Sequence, residues 1–565
     1  MGSEILEAKP PSASTPYGRG KTVAVIGSGI SGILAAAHLL KQGLSVTVYE
    51  RSNAAGGIWR YDSRVSHDPP HPNHKPSLGD YHVSKPGEFD ADAEVVSPTS
   101  ITQEAKENEI SDIQFSPPGP CYAGLITNMP ISLMVTSLAS WPEGTELFPK
   151  HPDVLKYVLN LAKTYGVDKI TQYRTRVDEV KKISDGSNCK YQLRSVTFDP
   201  NETNLVENTS LFDLVVVASG HFNMPRIPDI PGLGEWKTAY PGRVIHSKQY
   251  RDPQRYHGKN IIVLGGSIAA ADIIKELCAA GAANVYGAPG VDLRGCALPR
   301  SMIHPDVRGV SGVDCFSLLE APVVNHDHHT HSSRTDDMAE EPVPGTVTFK
   351  DGRTLTSIHH VILATGYVVS YPFLPHLTSD TIPARSPDHT NNTKSVGNNL
   401  VVTAEGVVTH NLHKDIFYIP DPTLAFVGVP THVATFSLFD FQAQAVARVF
   451  AGTAAPLPTE EEMRREYNER VQQRGLYRTF NSLYWEEREI KYVKSLVEMV
   501  NGPDNGMGRA RHDGKEGEDS EGKAKDRQGP MMGHSAEWLR AYEAFSKMAE
   551  GSRWLCGSCD LLCPI

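Results

Sequence analysis

The chain has 565 residues, of which 39% are hydrophobic and 21% charged, and a formal net charge of −11. This length accommodates two or three domains, and the acidic balance offers no basic patch of the kind that nucleic acid or an anionic membrane surface needs. The first residues lack the apolar stretch of a secretory signal and no run of 18 apolar residues follows, so the expected setting is cytoplasmic, without a membrane anchor.

Residues 1–20 are rich in Pro, Ser and Gly and read as a disordered tail. From Lys21 the pattern changes. Residues 22–26 are β-branched and apolar, which predicts a buried parallel strand. It leads into Gly27-Ser28-Gly29-Ile30-Ser31-Gly32, then an Ala/Leu-rich helix to about Gln42 that Gly43 can end, then a strand closing at Glu50. This is a complete dinucleotide-binding unit. Gly27 permits the tight turn, Gly29 lets the backbone approach a pyrophosphate, and Gly32 lets the helix pack close to the strand. The helix N-terminus presents N–H donors to phosphate, and Glu50 can accept from ribose hydroxyls. Residues from about 64 to 120 are rich in Pro, Ser, Asp and Glu with little periodicity, and read as a surface insertion. Behind them, Thr127-Asn128-Met129-Pro130 reads as a turn.

Leu214 to Val217 predicts a buried strand ending in the permissive turn Ala218-Ser219-Gly220. A stretch with Tyr240, Gly242, His246 and Tyr250 follows. A second unit then begins with a strand over residues 260–264, the turn Gly265-Gly266-Ser267-Ile268-Ala269-Ala270, and a helix from about Asp272 to Ala280. Ser267 and Ala270 replace the second and third glycines, which crowds a pyrophosphate slightly but still presents N–H groups. The next strand, over residues 284–288, ends without an acid, so nothing there opposes a 2′-phosphate. Arg294 and Arg300 are candidate partners for one, which favours NADPH over NADH.

An irregular stretch at about 312–345 carries four histidines between Asn325 and His331; it is read as binding nothing specific, and no metal site is expected. Residues 361–366 repeat the motif of a buried strand ending in Ala364-Thr365-Gly366. Thr459 and Glu462 have capping-box spacing and predict a helical run continuing to about Val500. Residues 502–530 read as a flexible linker, with a short last helix near Ser535 to Met548. Of eight cysteines five stand singly, while Cys556, Cys559 and Cys563 cluster in what reads as a tail without chemistry.

With Gly56-Gly57-Ile58-Trp59 after the first unit, the chain resembles the flavin-containing monooxygenase family from about Thr22 to Met463, apart from the two irregular stretches. Tyr240, Gly242, His246 and Tyr250 match that family's aromatic-x-Gly-x-x-x-His-x-x-x-aromatic pattern, with Tyr in place of the usual leading Phe. The Ala-Ser-Gly and Ala-Thr-Gly strand ends resemble its two interdomain linkers. The resemblance implies an α/β fold of two Rossmann-like domains, the NADPH domain inserted into the FAD domain, with a helical C-terminal extension. The implied bounds are 21–225 and 365–455 for the FAD domain, 226–364 for the NADPH domain and 456–565 for the extension.

The same resemblance implies that NADPH reduces FAD and that dioxygen then gives a hydroperoxyflavin, which oxygenates a soft N or S atom of a small molecule. The protein excludes water and holds the nicotinamide, with Asn128 over the flavin, so no protein acid or base is required. Gly27, Ser28, Gly29, Ile30, Ser31, Gly32, Glu50, Gly57, Ile58, Trp59, Thr127, Asn128, Val177 and Gln442 are the expected flavin-site residues. Gly265, Ser267 and Ala270 are those for NADPH. His246 is expected to couple the domains and not to transfer protons. Tyr250 stands where Baeyer-Villiger relatives have Trp, which favours heteroatom oxygenation over ester formation; that reaction and a non-oxygenating flavoprotein are the alternatives. A flavin disulfide reductase is disfavoured because the first cysteine is Cys121. The oligomeric state is left open, a homodimer being compatible.

Overall fold

The computed structural model describes residues 16–80, 111–185, 188–200, 204–288, 305–319, 340–384, 399–483, 487–502 and 529–551. The expectations for the N-terminal tail, Arg294, Arg300, the histidine tract, most of the 502–530 linker and the C-terminal cysteines fall outside the described residues.

The predicted first unit forms as β1 (Thr22–Ile26), α1 (Ile30–Lys41) and β2 (Ser45–Tyr49). β1 lies parallel to β2 on one side and, on the other, to β7 (Leu214–Val217), so Ile26 stands opposite both Tyr49 and Val217. The alternation of Val and Ala fills both faces of β1, as expected for a strand covered on both sides. The sheet continues past β2 to β3 (Thr171–Gln172). Beyond β7 it takes in β20 (Leu424–Phe426), β19 (Phe417–Tyr418) and β18 (Leu412–His413). Its strands thus come from three widely separated stretches of chain. Helices α1, α2 (His151–Thr164) and α5 (Thr435–Phe450) cover one face. A three-stranded antiparallel sheet, β4 (Thr175–Asp185), β5 (Asn188–Asp199) and β6 (Asn204–Phe212), packs toward the other.

The second unit lies wholly between β7 and β20 in the chain. Its parallel sheet runs β12 (Arg308–Gly309), β11 (Asn284–Ala288), β10 (Asn260–Leu264), β16 (His360–Leu363), β9 (Val244–His246). Helices α3 (Leu233–Ala239) and α4 (Ile268–Ala279) belong to it. So does a small antiparallel sheet of β13 (Val313–Leu318), β14 (Gly345–Phe349) and β15 (Thr354–Leu355). The chain enters through β8 (Met224–Pro225) and leaves through β17 (Tyr367–Val368), and these two strands pair antiparallel, Tyr367 opposite Pro225 and Val368 opposite Met224. The two crossings form one ribbon.

Two expectations need refinement. The described parts of the 64–120 stretch run partly at the surface but are anchored into the body of the protein. Ser66, Asn73 and Phe115 are buried. Asn73 exchanges backbone hydrogen bonds with Ile227 (3.1 and 3.0 Å), and Phe115 stacks on Phe198 of β5. The stretch lacks periodicity because irregular backbone, satisfied by such bridges, is what packs there. The helical run from Thr459 is also two helices. α6 (Glu460–Arg474) starts on the predicted capping box, with the Thr459 N–H donating to Glu462 Oε2 (2.9 Å) and the Glu462 N–H to Thr459 Oγ1 (3.3 Å). Gly475 at φ 65° ends it. α7 (Arg488–Asn501) and α8 (Ala536–Gly551) follow, the last matching the predicted terminal helix.

Candidate active site

In the first turn the glycines act as their spacing predicts. A Cβ at Gly27 would lie 2.5 Å from the Ala218 carbonyl oxygen and one at Gly32 only 1.9 Å from the Gly27 carbonyl oxygen. A Cβ at Gly29 would meet nothing nearer than the Gly57 Cα at 3.6 Å. Gly27 and Gly32 are thus required by the protein's own packing and Gly29 is not, which leaves close approach by a ligand as its reason. No side chain caps α1 at Gly29, so the first-turn N–H groups are available to an anion. The buried hydroxyls of Ser28 and Thr127 have no hydrogen-bond partner in the protein. The orphaned Ser28 hydroxyl beside an uncapped helix start fits a dinucleotide.

Glu50 is already engaged. Its Oε2 accepts from the Ser28 N–H (2.8 Å), and its Oε1 from the Ser52 N–H (2.9 Å) and hydroxyl (2.8 Å). It therefore fixes the shape of the turn while retaining lone pairs for a ribose. Gly56 and Gly57, both at positive φ, bring the next loop against Gly29. Ile58 stays 38% exposed beside them, and Trp59 is set edge-on to Phe436 of α5 (6.2 Å). Ser31 lies against Gly428.

The second turn repeats the device. A Cβ at Gly265 would sit 2.2 Å from the Ala364 carbonyl oxygen, as Gly27 does with Ala218. Both strand-ending Ala-Ser/Thr-Gly motifs are therefore the walls against which the phosphate turns are pressed. Ser267 is the uncapped, exposed N-cap of α4, while Ala270, in place of the third glycine, is buried in the core. These residues also fit a dinucleotide.

The turn with Asn128 bridges the two units. The Thr127 N–H donates to the Pro149 carbonyl (3.0 Å). On the other flank the Tyr122 hydroxyl donates to Asp272 of α4 (3.1 Å), and the Ala123 N–H to the Arg251 carbonyl (2.8 Å). Gly124 is pressed against Glu276, which accepts from the Tyr250 hydroxyl (2.8 Å). Asn128 itself is exposed. Asp272 and Glu276 both have carboxyls raised by burial, and Tyr122 and Tyr250 donate to them. The sequence reading missed this clamp, whose one signal was two acids four residues apart on a helix beside two aromatics.

His246 is 1% exposed. Its Nδ1 accepts from the Lys248 N–H (3.1 Å), which leaves Nε2–H to donate to the Gly366 carbonyl (3.0 Å). Burial pushes its pKa down to about 3. It is a neutral tie between β9 and the second linker. Next to it lies an ion cluster that the sequence did not disclose. Asp80 accepts from both Arg51 guanidinium nitrogens (2.6 and 2.8 Å) and from Lys248 Nζ (2.7 Å). The side chains of Asp80 and Lys248 are 5% and 2% exposed. The two cations hold Asp80 far below the usual carboxylate range despite its burial.

Two expected contacts sit behind the site. Gln442 is 0% exposed. Its Oε1 accepts from the Gly428 N–H (2.9 Å) and its Nε2 donates to the Tyr492 hydroxyl (2.7 Å), which in turn donates to the Lys414 carbonyl (2.5 Å). Through these bonds it supports the Gly428 backbone. The Val177 side chain is core, at the β-bulge of β4.

Among the described residues no helix is long and apolar enough to cross a membrane, and no group of His, Cys, Asp and Glu is placed to hold a metal. Two phosphate turns, a shared ribbon of crossings and a turn clamped between them define a two-dinucleotide oxidoreductase fold. The chain matches the family model for flavin-binding monooxygenase-like proteins over residues 118–288 and 337–506, and one for NAD(P)-binding Rossmann-like domains over 25–77. It is 37% identical to the flavin-containing monooxygenase ustF2 of Aspergillus flavus, covering 85% of this chain and 91% of that one. It is 30% identical to ustF1 of the same fungus, covering 94% and 90%. In fold it is similar to S-allyl-L-cysteine S-oxygenase from Allium sativum, with a TM-score of 0.58 at 21% identity over 94% of this chain and 93% of that one. The chain belongs to the flavin-containing monooxygenase family, and its cofactors are FAD and NADPH.

Proposed function

We propose that the chain oxygenates a soft nucleophilic nitrogen or sulfur of a small molecule, with FAD on the first turn and NADPH on the second. The observation that carries this is the clamp on the Asn128 turn, fixed to α4 of the second unit at one end and to Pro149 of the first at the other. Bound FAD, reduced by NADPH, supplies the reaction with dioxygen; the residues supply position and dryness. The exposed Asn128 amide can donate and accept at once, which suits it to hold the oxidised nicotinamide over the flavin. The Tyr122 and Tyr250 hydroxyls fix the turn that carries it, and neutral His246 fixes the crossing beside it.

Disulfide chemistry is not supported. Cys121, the cysteine nearest this turn, is buried, burial pushes its thiol up to about 11, and it is unpaired. It offers no thiolate and, among the described residues, no disulfide partner. Tyr250, whose hydroxyl is committed to Glu276, favours heteroatom over ketone oxygenation by resemblance.

NADPH-dependent oxygen uptake with product analysis tests the proposal on a panel of amines, thioethers and ketones. N-oxides, hydroxylamines or sulfoxides are expected. Ester products, or hydrogen peroxide alone with every compound, refute it. Asn128→Ala is expected to keep NADPH oxidation and divert most of it to hydrogen peroxide.

A further inference from the structure

The family match ends at residue 506, before α8, yet this helix is mounted on the body of the protein at several points. On its approach the Met531 N–H donates to Asn501 Oδ1, and Asn501 Nδ2 to the Met531 carbonyl (both 2.9 Å), which ties it to the end of α7. The His534 ring stands edge-on to Phe441 of α5 (4.8 Å) and stacks on Trp538 (3.5 Å), which in turn stacks on Tyr542 (5.1 Å). Trp538 is 2% exposed. With the ring plane set by its stacked neighbours, Nε1–H is aimed at one acceptor, the Leu133 carbonyl (3.1 Å).

Leu133 follows the turn that carries Asn128. The backbone of that turn is pinned on both sides, with the Thr127 N–H donating to the Pro149 carbonyl (3.0 Å) and the Ile131 N–H to the Leu147 carbonyl (2.9 Å). The Leu133 and Met134 N–H groups close back on the Pro130 carbonyl (2.9 and 3.3 Å). Between the pins Asn128 is exposed, while its neighbour Met129 packs with Leu133, Ala434, Trp538 and Tyr542 in one apolar cluster. That cluster is itself held, because the Ala434 N–H donates to Oε2 of Glu489 (2.9 Å), a residue of α7 that is 2% exposed. The placing of an exposed binding group depends on what its backbone rests on. Here the turn rests on α8.

We propose that Trp538 is a positioning residue for Asn128. Through Leu133 and Met129, α8 braces the turn from behind and sets how firmly the oxidised nicotinamide is held over the flavin. This rests on the reading above in which Asn128 makes that contact.

The test uses full-length holoenzyme and Trp538→Phe, which keeps a ring in the stack and removes the N–H. Fluorescence titration of the oxidised enzyme with NADP+ is expected to show a dissociation constant raised about threefold, the scale of one neutral hydrogen bond. The share of NADPH oxidation that ends as hydrogen peroxide should rise with it, at unchanged flavin content. A purely structural role would lower the melting temperature and leave both readouts alone. Tyr542→Leu, which keeps Trp538 but loosens its stack, should move both in the same direction by less. In an Asn128→Ala background Trp538→Phe should add nothing further, since the braced group is gone. The proposal is overturned if Trp538→Phe leaves NADP+ affinity unchanged while Asn128→Ala weakens it, or if the two effects add in full. If instead Asn128→Ala leaves the affinity unchanged, it is the reading of Asn128 that fails. Affinities that behave as expected in a protein that oxygenates no amine or thioether sink the oxygenase reading and leave the brace standing.

Discussion

The Asp80 cluster gives the sharpest energetic prediction. Asp80→Asn keeps the shape but removes the anion that Arg51 and Lys248 share, their side chains being 23% and 2% exposed. Stranding a buried cation costs roughly 3–5 kcal/mol. Lys248→Met is milder, since Asp80 keeps both bonds to Arg51 and one charge-assisted contact is worth about 1.5–3 kcal/mol. Because Lys248→Met also removes the cation that Asp80→Asn strands, the double variant should cost less than the two singles added, by about 1–3 kcal/mol. Urea unfolding of holoenzyme, followed by both flavin release and tryptophan fluorescence, measures all three. The Asp80 carboxyl is depressed in the folded state, so its contribution is fully present above the unfolded value near 4 and is lost only as pH falls below it. The Asp80 carboxyl's own contribution to the gap between wild type and Asp80→Asn should therefore be flat from pH 5 to 8. A cost for Asp80→Asn below about 1 kcal/mol, or below that of Lys248→Met, refutes the reasoning.

Gly29→Ala meets only ordinary contact at 3.6 Å and should fold yet lose flavin, whereas Gly32→Ala collides with the Gly27 carbonyl and should lose flavin and stability together; the 450 nm to 280 nm absorbance ratio and a melting curve separate the two. His246, neutral down to about pH 3, is protonated only in the unfolded chain below pH 6.5, so it lowers stability as pH falls through that value. The difference between His246→Gln and wild type should shift in favour of the variant by roughly 2 kcal/mol between pH 7.5 and 5, at about 1.4 kcal/mol per unit, and a flat difference counts against the buried neutral ring. Glu489 acts at the other end. Its folded value near 7 exceeds the unfolded 4.5, so stability falls as pH rises between them, and Glu489→Gln should gain roughly 3 kcal/mol on wild type between pH 4.5 and 8. Denaturation midpoints that run parallel over that range contradict the burial of a carboxyl there.

What the sequence disclosed was local. The first phosphate turn, its helix and Glu50 lie within 30 residues, and each glycine has a reason that spacing alone expresses. The Thr459 capping box was equally plain, since its partner is three residues away. What escaped was held by distant partners. Asp80 meets Arg51 across 29 residues and Lys248 across 168, inside a stretch whose composition looks solvated. Glu489 sits on an amphipathic helix where an acid ordinarily faces water, and its burial against Ala434 at the start of α5 is a tertiary fact. Gln442 was placed at the flavin because its segment resembles one that contacts it; which way a helical side chain turns is a tertiary fact, and here it turns to Gly428 and Tyr492.

The ribbon of β8 and β17 gives the inserted unit the character of a cassette. Met224 and Val368 are partners across one ladder, so the ends of the excursion lie only about 5 Å apart, the spacing of paired strands. A turn of a few residues could rejoin them with little loop-closure entropy, and the sheet from β18 to β3 would lose none of its seven strands. Conversely, a related nicotinamide unit could be grafted at the same seam. The surfaces needing redesign would be those around Asn73, Asp80 and Tyr122, whose side chains reach across the cut.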